Sequence, residues 1–181
     1  MEEFIDILNE NGVATGEVAS RKEIHKKGLW HRAILVAIVD KSNKVLLQQR
    51  SKNKEKYPNK WDISVAGHVS SGMLSINAAY AEVMEEVGYQ IPKEISVSDF
   101  KFITSFKDSR KISDDFIENQ FYDLFVLKLD IELKNLEIQL EEVQKIEFVS
   151  PFKIKEMNES KQMHPRDVWI KPVYDYISKS F

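Results

Sequence analysis

None of the 181 residues is cysteine. That removes disulfide scaffolds, cysteine-ligated zinc, iron–sulfur clusters and any thiol nucleophile from the candidate chemistries. No charge-free stretch approaches the length of a membrane span, and the acidic start MEEFIDIL lacks the basic head and apolar run of a signal peptide. The expectation is a cytoplasmic protein with no membrane partner. An excess of positive charge is missing as well. With a net charge of −3 and a pI near 5.9, the chain has no broad basic surface, so no nucleic-acid polymer is expected as a partner. Glycine is scarce at six, and Gly67, Gly72 and Gly88 fall within one short segment. What remains is 43% hydrophobic and 30% charged, the balance of a globular chain with a sizeable core. The length suits one domain.

The apolar pattern orders the elements. Glu3 to Leu8 reads as a strand, Asn9 to Gly12 as a turn carrying an Asn-Gly signal, and a second strand follows to complete an N-terminal β-hairpin. Ser20 is expected to cap a short helical turn through Ile24. Ala33–Val39 and Lys44–Gln49 are β-rich runs flanking Asp40–Asn43, a second hairpin. Arg50–Lys60 reads as a surface loop and Trp61–Ala66 as a strand. From Ser75 the period changes: Ile76, Ala79, Tyr80, Val83 and Val87 recur at helical spacing, with Ser75 as N-cap and Gly88 as the stop. Strands resume at Phe100–Phe106, Phe121–Leu129 and Ile146–Val149. Ser150-Pro151 opens a helix, and Pro165–Ser180 reads as a last helix, with Pro172 expected to kink it. The chain 1–181 is therefore expected to be one α/β (α+β) domain. Residues 1–28 form the hairpin and short helical extension, 29–150 the core, and 151–181 the C-terminal helices.

Chemistry concentrates on the central helix. Glu82, Glu85 and Glu86 stand at i, i+3 and i+4, which places three carboxylates on neighbouring positions of one face. Two lie in the last turn, where the helix dipole disfavours anions. No lysine or arginine occurs between Gly67 and Gly88, although the chain has 26 elsewhere. Either this is a solvated acidic face, or a divalent metal supplies the charge. Oxygen ligands of this hardness suit Mg²⁺ or Mn²⁺.

The segment from Gly67 to Tyr89 resembles the Nudix box, written GX5EX7REUXEEXGU with U aliphatic. Gly67, Glu82, Val83, Glu85, Glu86 and Gly88 fall in register, and Tyr89 takes the final slot. The order of strands around the helix is similar to that of the Nudix α/β/α sandwich with its mixed central sheet. Glu141-Glu142-Val143 before Glu147–Ser150 looks like the family's acidic loop. The resemblance implies hydrolysis of a nucleoside diphosphate linked to another moiety, or of a related organic diphosphate, by water attack at phosphorus. It implies Glu82, Glu85 and Glu86 as metal ligands together with the Gly67 carbonyl, and a general base among Glu85, Glu86 and Glu142. Two positions depart from the box: Met73 stands for the first glutamate and Ala81 for the arginine. They are expected to form an apolar substitute for the lost ion pair. They also keep open an alternative reading, a catalytically weak diphosphate-binding or regulatory domain. A homodimer through the N-terminal hairpin or the last helix is likewise left open.

The flanks resemble the isopentenyl-diphosphate isomerase branch more closely, in His25, Leu29–Ala33, Leu46–Lys52 and Trp61–His68. In those isomerases, histidines matching His25, His31 and His68 join two glutamates around a metal. Here Glu118 matches one glutamate, and Gln120 stands for the other. The position of the isomerase's catalytic cysteine is Ala66, which cannot transfer a proton. The trio with Glu118 is therefore carried forward as a second metal or substrate site, and a hydrolase is expected rather than an isomerase. Arg50, Lys52, Lys54 and Lys56 either meet substrate phosphates or solvate a loop. Trp61, Phe106 and Tyr122 either stack on a base or pack the core.

Overall fold

Strand β3 (His31–Val39) organises the molecule, because its side chains are apolar on both faces and all but Arg32 are buried. Such a strand needs cover on two sides. The computed structural model describes residues 2–86, 95–133 and 140–179. The sequence elements expected at Val87, Gly88, Tyr89 and Ser180 lie outside them. Along β3, Leu35, Ala37 and Val39 face one layer, where α3 (Pro151–Glu159) and α4 (Ile170–Ser178) bring Ile154, Met157, Val173 and Ile177. Ile34, Val36 and Ile38 face the other, where α2 (Ser75–Glu86) brings Ala78, Ala79 and Val83. The result is the expected α/β/α sandwich.

The sheet is mixed. β3 runs parallel to β8 (Phe116–Lys128) and antiparallel to β6 (Val65–His68). β7 (Phe100–Ser113) pairs antiparallel with β8, and β4 (Val45–Arg50) pairs with β5 (Trp61–Asp62) and β9 (Val143–Val149). The expected hairpin of β3 and β4 closes at Asp40–Lys44 but pairs only Val39 with Val45 before the strands part. Buried Ser64 fills the split: it accepts from the Ile38 N–H at 2.8 Å and donates to the Leu46 carbonyl at 2.5 Å. The strand expected at Trp61–Ala66 is consequently two strands, with the crossing at Ile63-Ser64. β7 and β8 run well beyond the expected Phe100–Phe106 and Phe121–Leu129, meeting at Asp114-Asp115.

The N-terminal hairpin, β1 (Phe4–Leu8) and β2 (Ala14–Ser20), packs Ile5 and Ala19 against Ile24 of α1 (Arg21–Lys27). Ser20 caps α1 by accepting from Glu23 N–H, and Gly28 ends it at φ 63°. Asp6 on β1 accepts from the Ser71 hydroxyl at 2.6 Å and the Gly72 N–H at 3.0 Å, holding the turn that leads into α2. Ser75 is the first residue of α2, but its hydroxyl donates to Asp123 on β8 at 2.5 Å rather than capping the helix. Ser150 and Pro151 start α3 as expected. The last helix begins at Ile170, not Pro165, and Pro172 falls in its first turn, where an N–H has no intrahelical partner, so no kink follows. Among the described residues, no helix is long and apolar enough to cross a membrane.

Candidate active site

A cleft of about 1100 Å³ opens between α2, the 51–60 loop and the β7–β8 ribbon. Gly67 on β6 and Glu82, Glu85 and Glu86 on α2 all line it. Gly67 passes directly beside Glu82. A Cβ built at Gly67 would overlap the Glu82 carboxyl, so this backbone must be bare for the carboxylate to lie against it. Glu82 is pushed up to about 7 by desolvation and then by Glu85 and Glu3, with Arg21 opposing. Glu86, open to the cleft at the helix end, is pushed up to about 8 by desolvation, then by Glu82 and Asp62, with Arg166 opposing and Glu142 adding to the rise. Burial first and neighbouring carboxylates second disfavour the charged form of both groups, and a divalent ion beside them would favour it again. The donors and the bare backbone at Gly67 thus fit a hard divalent cation.

Glu142 lines the same cleft from the start of β9, where its carboxylate is paired with Lys54. The Ser51 N–H donates to the Glu142 carbonyl at 2.9 Å, tying this wall to the loop after β4. Met73, 41% exposed, and Ala81 both line the cleft. They leave an open wall where the box has charged groups.

The three histidines converge from three elements. His31 begins β3 opposite Gln120 of β8, His68 ends β6 opposite Ala33, and His25 comes from α1. Their nearest ring nitrogens all lie within 4.8 Å of one another. The His25 and His68 Nε2 atoms are 3.1 Å apart. Nδ1 of His31 is 2.9 Å from the Leu29 carbonyl and Nδ1 of His25 is 3.3 Å from that of Ile117, which leaves each Nε2 as a lone pair aimed inward. Burial holds all three below the ordinary histidine value, His31 at about 4. They are neutral at pH 7, the state a metal ligand needs. Gln120 reaches both His31 and His68, at 3.0 and 3.4 Å, and accepts from the Tyr122 hydroxyl. Glu118 also lines the cleft, but it is paired with Arg110 at 2.9 Å.

The basic run after β4 divides. Arg50 lines the cleft while donating from its guanidinium to the Lys56 carbonyl at 3.0 and 3.3 Å. Lys54 and Lys56 also line it, with Lys56 above the Phe116 ring, which in turn stacks on His25. Lys52 is exposed and is not among the lining residues. Trp61 is buried in the core, Phe106 packs against it, and Tyr122 is both buried and part of the cleft wall.

Sequence reasoning missed the far wall. His164 and Arg166, between α3 and α4, meet Asp62 of β5, and Arg166 donates to the Asp62 carboxylate at 2.7 Å. Burial would raise Asp62, but Arg166 and then His164 outweigh it and hold the carboxyl below its usual range. The one local signal was His164-Pro165-Arg166-Asp167, a polar run between two amphipathic stretches.

A family model for the NUDIX domain matches residues 29–170. Nudix hydrolase 3 of Arabidopsis thaliana is 37% identical over 82% of this chain, which spans only 19% of that relative's length. An uncharacterised Nudix hydrolase of Listeria monocytogenes is 34% identical over 91% of this chain and 89% of its own. An isopentenyl-diphosphate Delta-isomerase of Photorhabdus laumondii is 26% identical over 98% of this chain and 94% of its own. Among solved structures, a Deinococcus radiodurans protein shares the fold with a TM-score of 0.71 at 18% identity, covering 95% of this chain and 99% of that one.

Proposed function

The chain belongs to the Nudix family and is a hydrolase of that family, and from that premise we propose that it is a Mg²⁺- or Mn²⁺-dependent pyrophosphohydrolase acting on a small organic diphosphate, such as a nucleoside diphosphate linked to a second group. The observation that carries this is the packing of Gly67 against Glu82 in a cleft shared with Glu85 and Glu86. Glu82, Glu85, Glu86 and the Gly67 carbonyl would hold the ion. When bound, a divalent ion polarises a phosphoryl oxygen and makes coordinated water a better nucleophile. Glu85 and Glu86 are the carboxylates placed to take the proton from the attacking water. Glu142, paired with Lys54 in the same cleft, is the third candidate base.

Ala66 lies in the cleft wall beside Gly67, so no acid or base stands where an isomerase of this branch needs one. A second ion site is supported by His25, His31 and His68. Three neutral imidazoles, with an amide at Gln120 and Glu118 engaged by Arg110, suit an ion that takes nitrogen ligands, such as Zn²⁺, better than Mg²⁺. The proposal is tested by following pyrophosphate-bond cleavage in a panel of nucleoside diphosphates, triphosphates, nucleoside diphosphates linked to a second group, and dinucleotides with Mg²⁺ or Mn²⁺, with product release read by anion-exchange separation of the monophosphates formed. Turnover in either metal is expected. A panel in which neither metal supports release would refute the enzyme reading, and deuterium incorporation into isopentenyl diphosphate would support the isomerase instead.

A further inference from the structure

We infer that Arg166 forms an anion subsite in the cleft and holds a phosphate group of the substrate, an inference that rests on the pyrophosphohydrolase reading. Nothing in the box supplies a cation, since no lysine or arginine lies between Gly67 and Glu86. A polyanionic substrate entering beside Glu82, Glu85 and Glu86 therefore has to meet its positive charge on the opposite wall. Five lysine and arginine side chains line the cleft, and all five have partners. Arg21 pairs with Glu3 at 3.2 Å, Arg50 donates to the Lys56 carbonyl, Lys54 pairs with Glu142, and Lys56 lies over Phe116.

Arg166 differs in being fixed yet underused. Its backbone N–H donates to His164 Nδ1 at 3.1 Å, and the His164 N–H donates to the Trp61 carbonyl at 2.7 Å, which pins this segment to β5. The guanidinium donates to Asp62, whose other oxygen takes the Ile63 N–H at 2.9 Å, and it also engages the Tyr122 hydroxyl, lying 5.5 Å from the centre of that ring. The side chain is 14% exposed, yet its buried Nε has no hydrogen-bond partner among the described residues. Leaving such a donor unmade costs stability, and a guanidinium already held by a carboxylate and a ring loses little freedom on binding. A phosphate's oxygens match the remaining fork of donors.

Titration with inorganic pyrophosphate in EDTA tests this without any metal. Removing Arg166 alone strands buried Asp62, so the decisive variant is the pair D62N/R166Q, which keeps a neutral hydrogen-bonded contact. K155Q, on the outer face of α3, is the control. Folded D62N/R166Q is expected to bind pyrophosphate at least tenfold more weakly than wild type, and R166K, which loses the planar fork, is expected to fall in between. In substrates that turn over, KM should rise by a similar factor while kcat moves much less. Equal pyrophosphate binding by wild type and folded D62N/R166Q, or no binding by wild type, overturns the subsite. Failure of the underlying reading looks different: wild type binds pyrophosphate through Arg166 but cleaves no pyrophosphate bond with either metal.

Discussion

Gly67 lies so close to Glu82 that the space a Cβ would fill at position 67 is taken by the Glu82 carboxyl. The glycine is needed here for room, not for an unusual backbone angle. G67A must push Glu82 away or shift β6. Overpacking of this kind costs about 1–3 kcal/mol, and displacement of a reacting group by about 1 Å costs roughly 10²-fold in rate. G67A should therefore stay folded, lose a few degrees of Tm and lose far more activity than stability. Thermal melts and product release on the same preparation check it, and wild-type activity in G67A would show that the contact is dispensable.

A second relationship secures the start of α2. Asp123 on β8 accepts two bonds from Arg32, at 2.9 and 3.1 Å, and the hydroxyls of Ser75 and Ser105, each at 2.5 Å. D123A strands the guanidinium and both hydroxyls, at about 3 kcal/mol, or roughly 6–12 °C of Tm for a chain this long. R32M/D123A should be less destabilised than the two single losses summed. Additive losses in calorimetry would mean that the pair is not coupled.

Much of this was legible in the sequence. α2 and its three glutamates follow from local spacing, because a helix places i, i+3 and i+4 together whatever surrounds it, while Gly67 was nominated by the resemblance. The far wall was not, since Asp62 and Arg166 are 104 residues apart and neither belongs to a local pattern. The long β7–β8 ribbon was also missed. In Lys107–Ser113 and Phe116–Gln120 both faces carry polar residues, so the period of two that marks a strand has no apolar partner set to reveal it. The histidine trio is intermediate. The residues could be nominated by resemblance, but their convergence depends on the register that sets His31 beside Gln120 and His68 beside Ala33.

Acid should weaken the fold through His164. Its Nδ1 accepts the Arg166 N–H, and burial holds it at about 3, well below the unfolded histidine value. The folded chain thus binds fewer protons than the unfolded chain between about pH 6.5 and 3. Stability is complete above that window and falls as pH drops through it, by roughly 2 kcal/mol from pH 6.5 to 5 for this one group. His31, held at about 4, adds to the same slope. H164N keeps an acceptor for Arg166 but cannot titrate, so its denaturation midpoint should depend less on pH between 5 and 7. Parallel profiles for H164N and wild type would place the acid sensitivity elsewhere.

The imidazole trio is open to spectroscopy. Co²⁺ added to the protein should give visible d–d bands of nitrogen coordination, and H25Q or H68Q should remove them while leaving the fold intact. Q120E, by returning a carboxylate to the cluster, should raise Co²⁺ affinity about tenfold or more. Bands that persist in both H25Q and H68Q would assign the ion to another place.

Glu82, Glu85 and Glu86 are proposed to hold a divalent ion that this chain uses to cleave a pyrophosphate bond. This is tested most directly by the release of monophosphate products by wild type and E86Q, separated by anion exchange, side by side in Mn²⁺ and in EDTA. Turnover by wild type is expected only with metal, with a loss of about 10²-fold or more in E86Q and folding unchanged. Metal-independent release, or equal rates for E86Q and wild type, would contradict it.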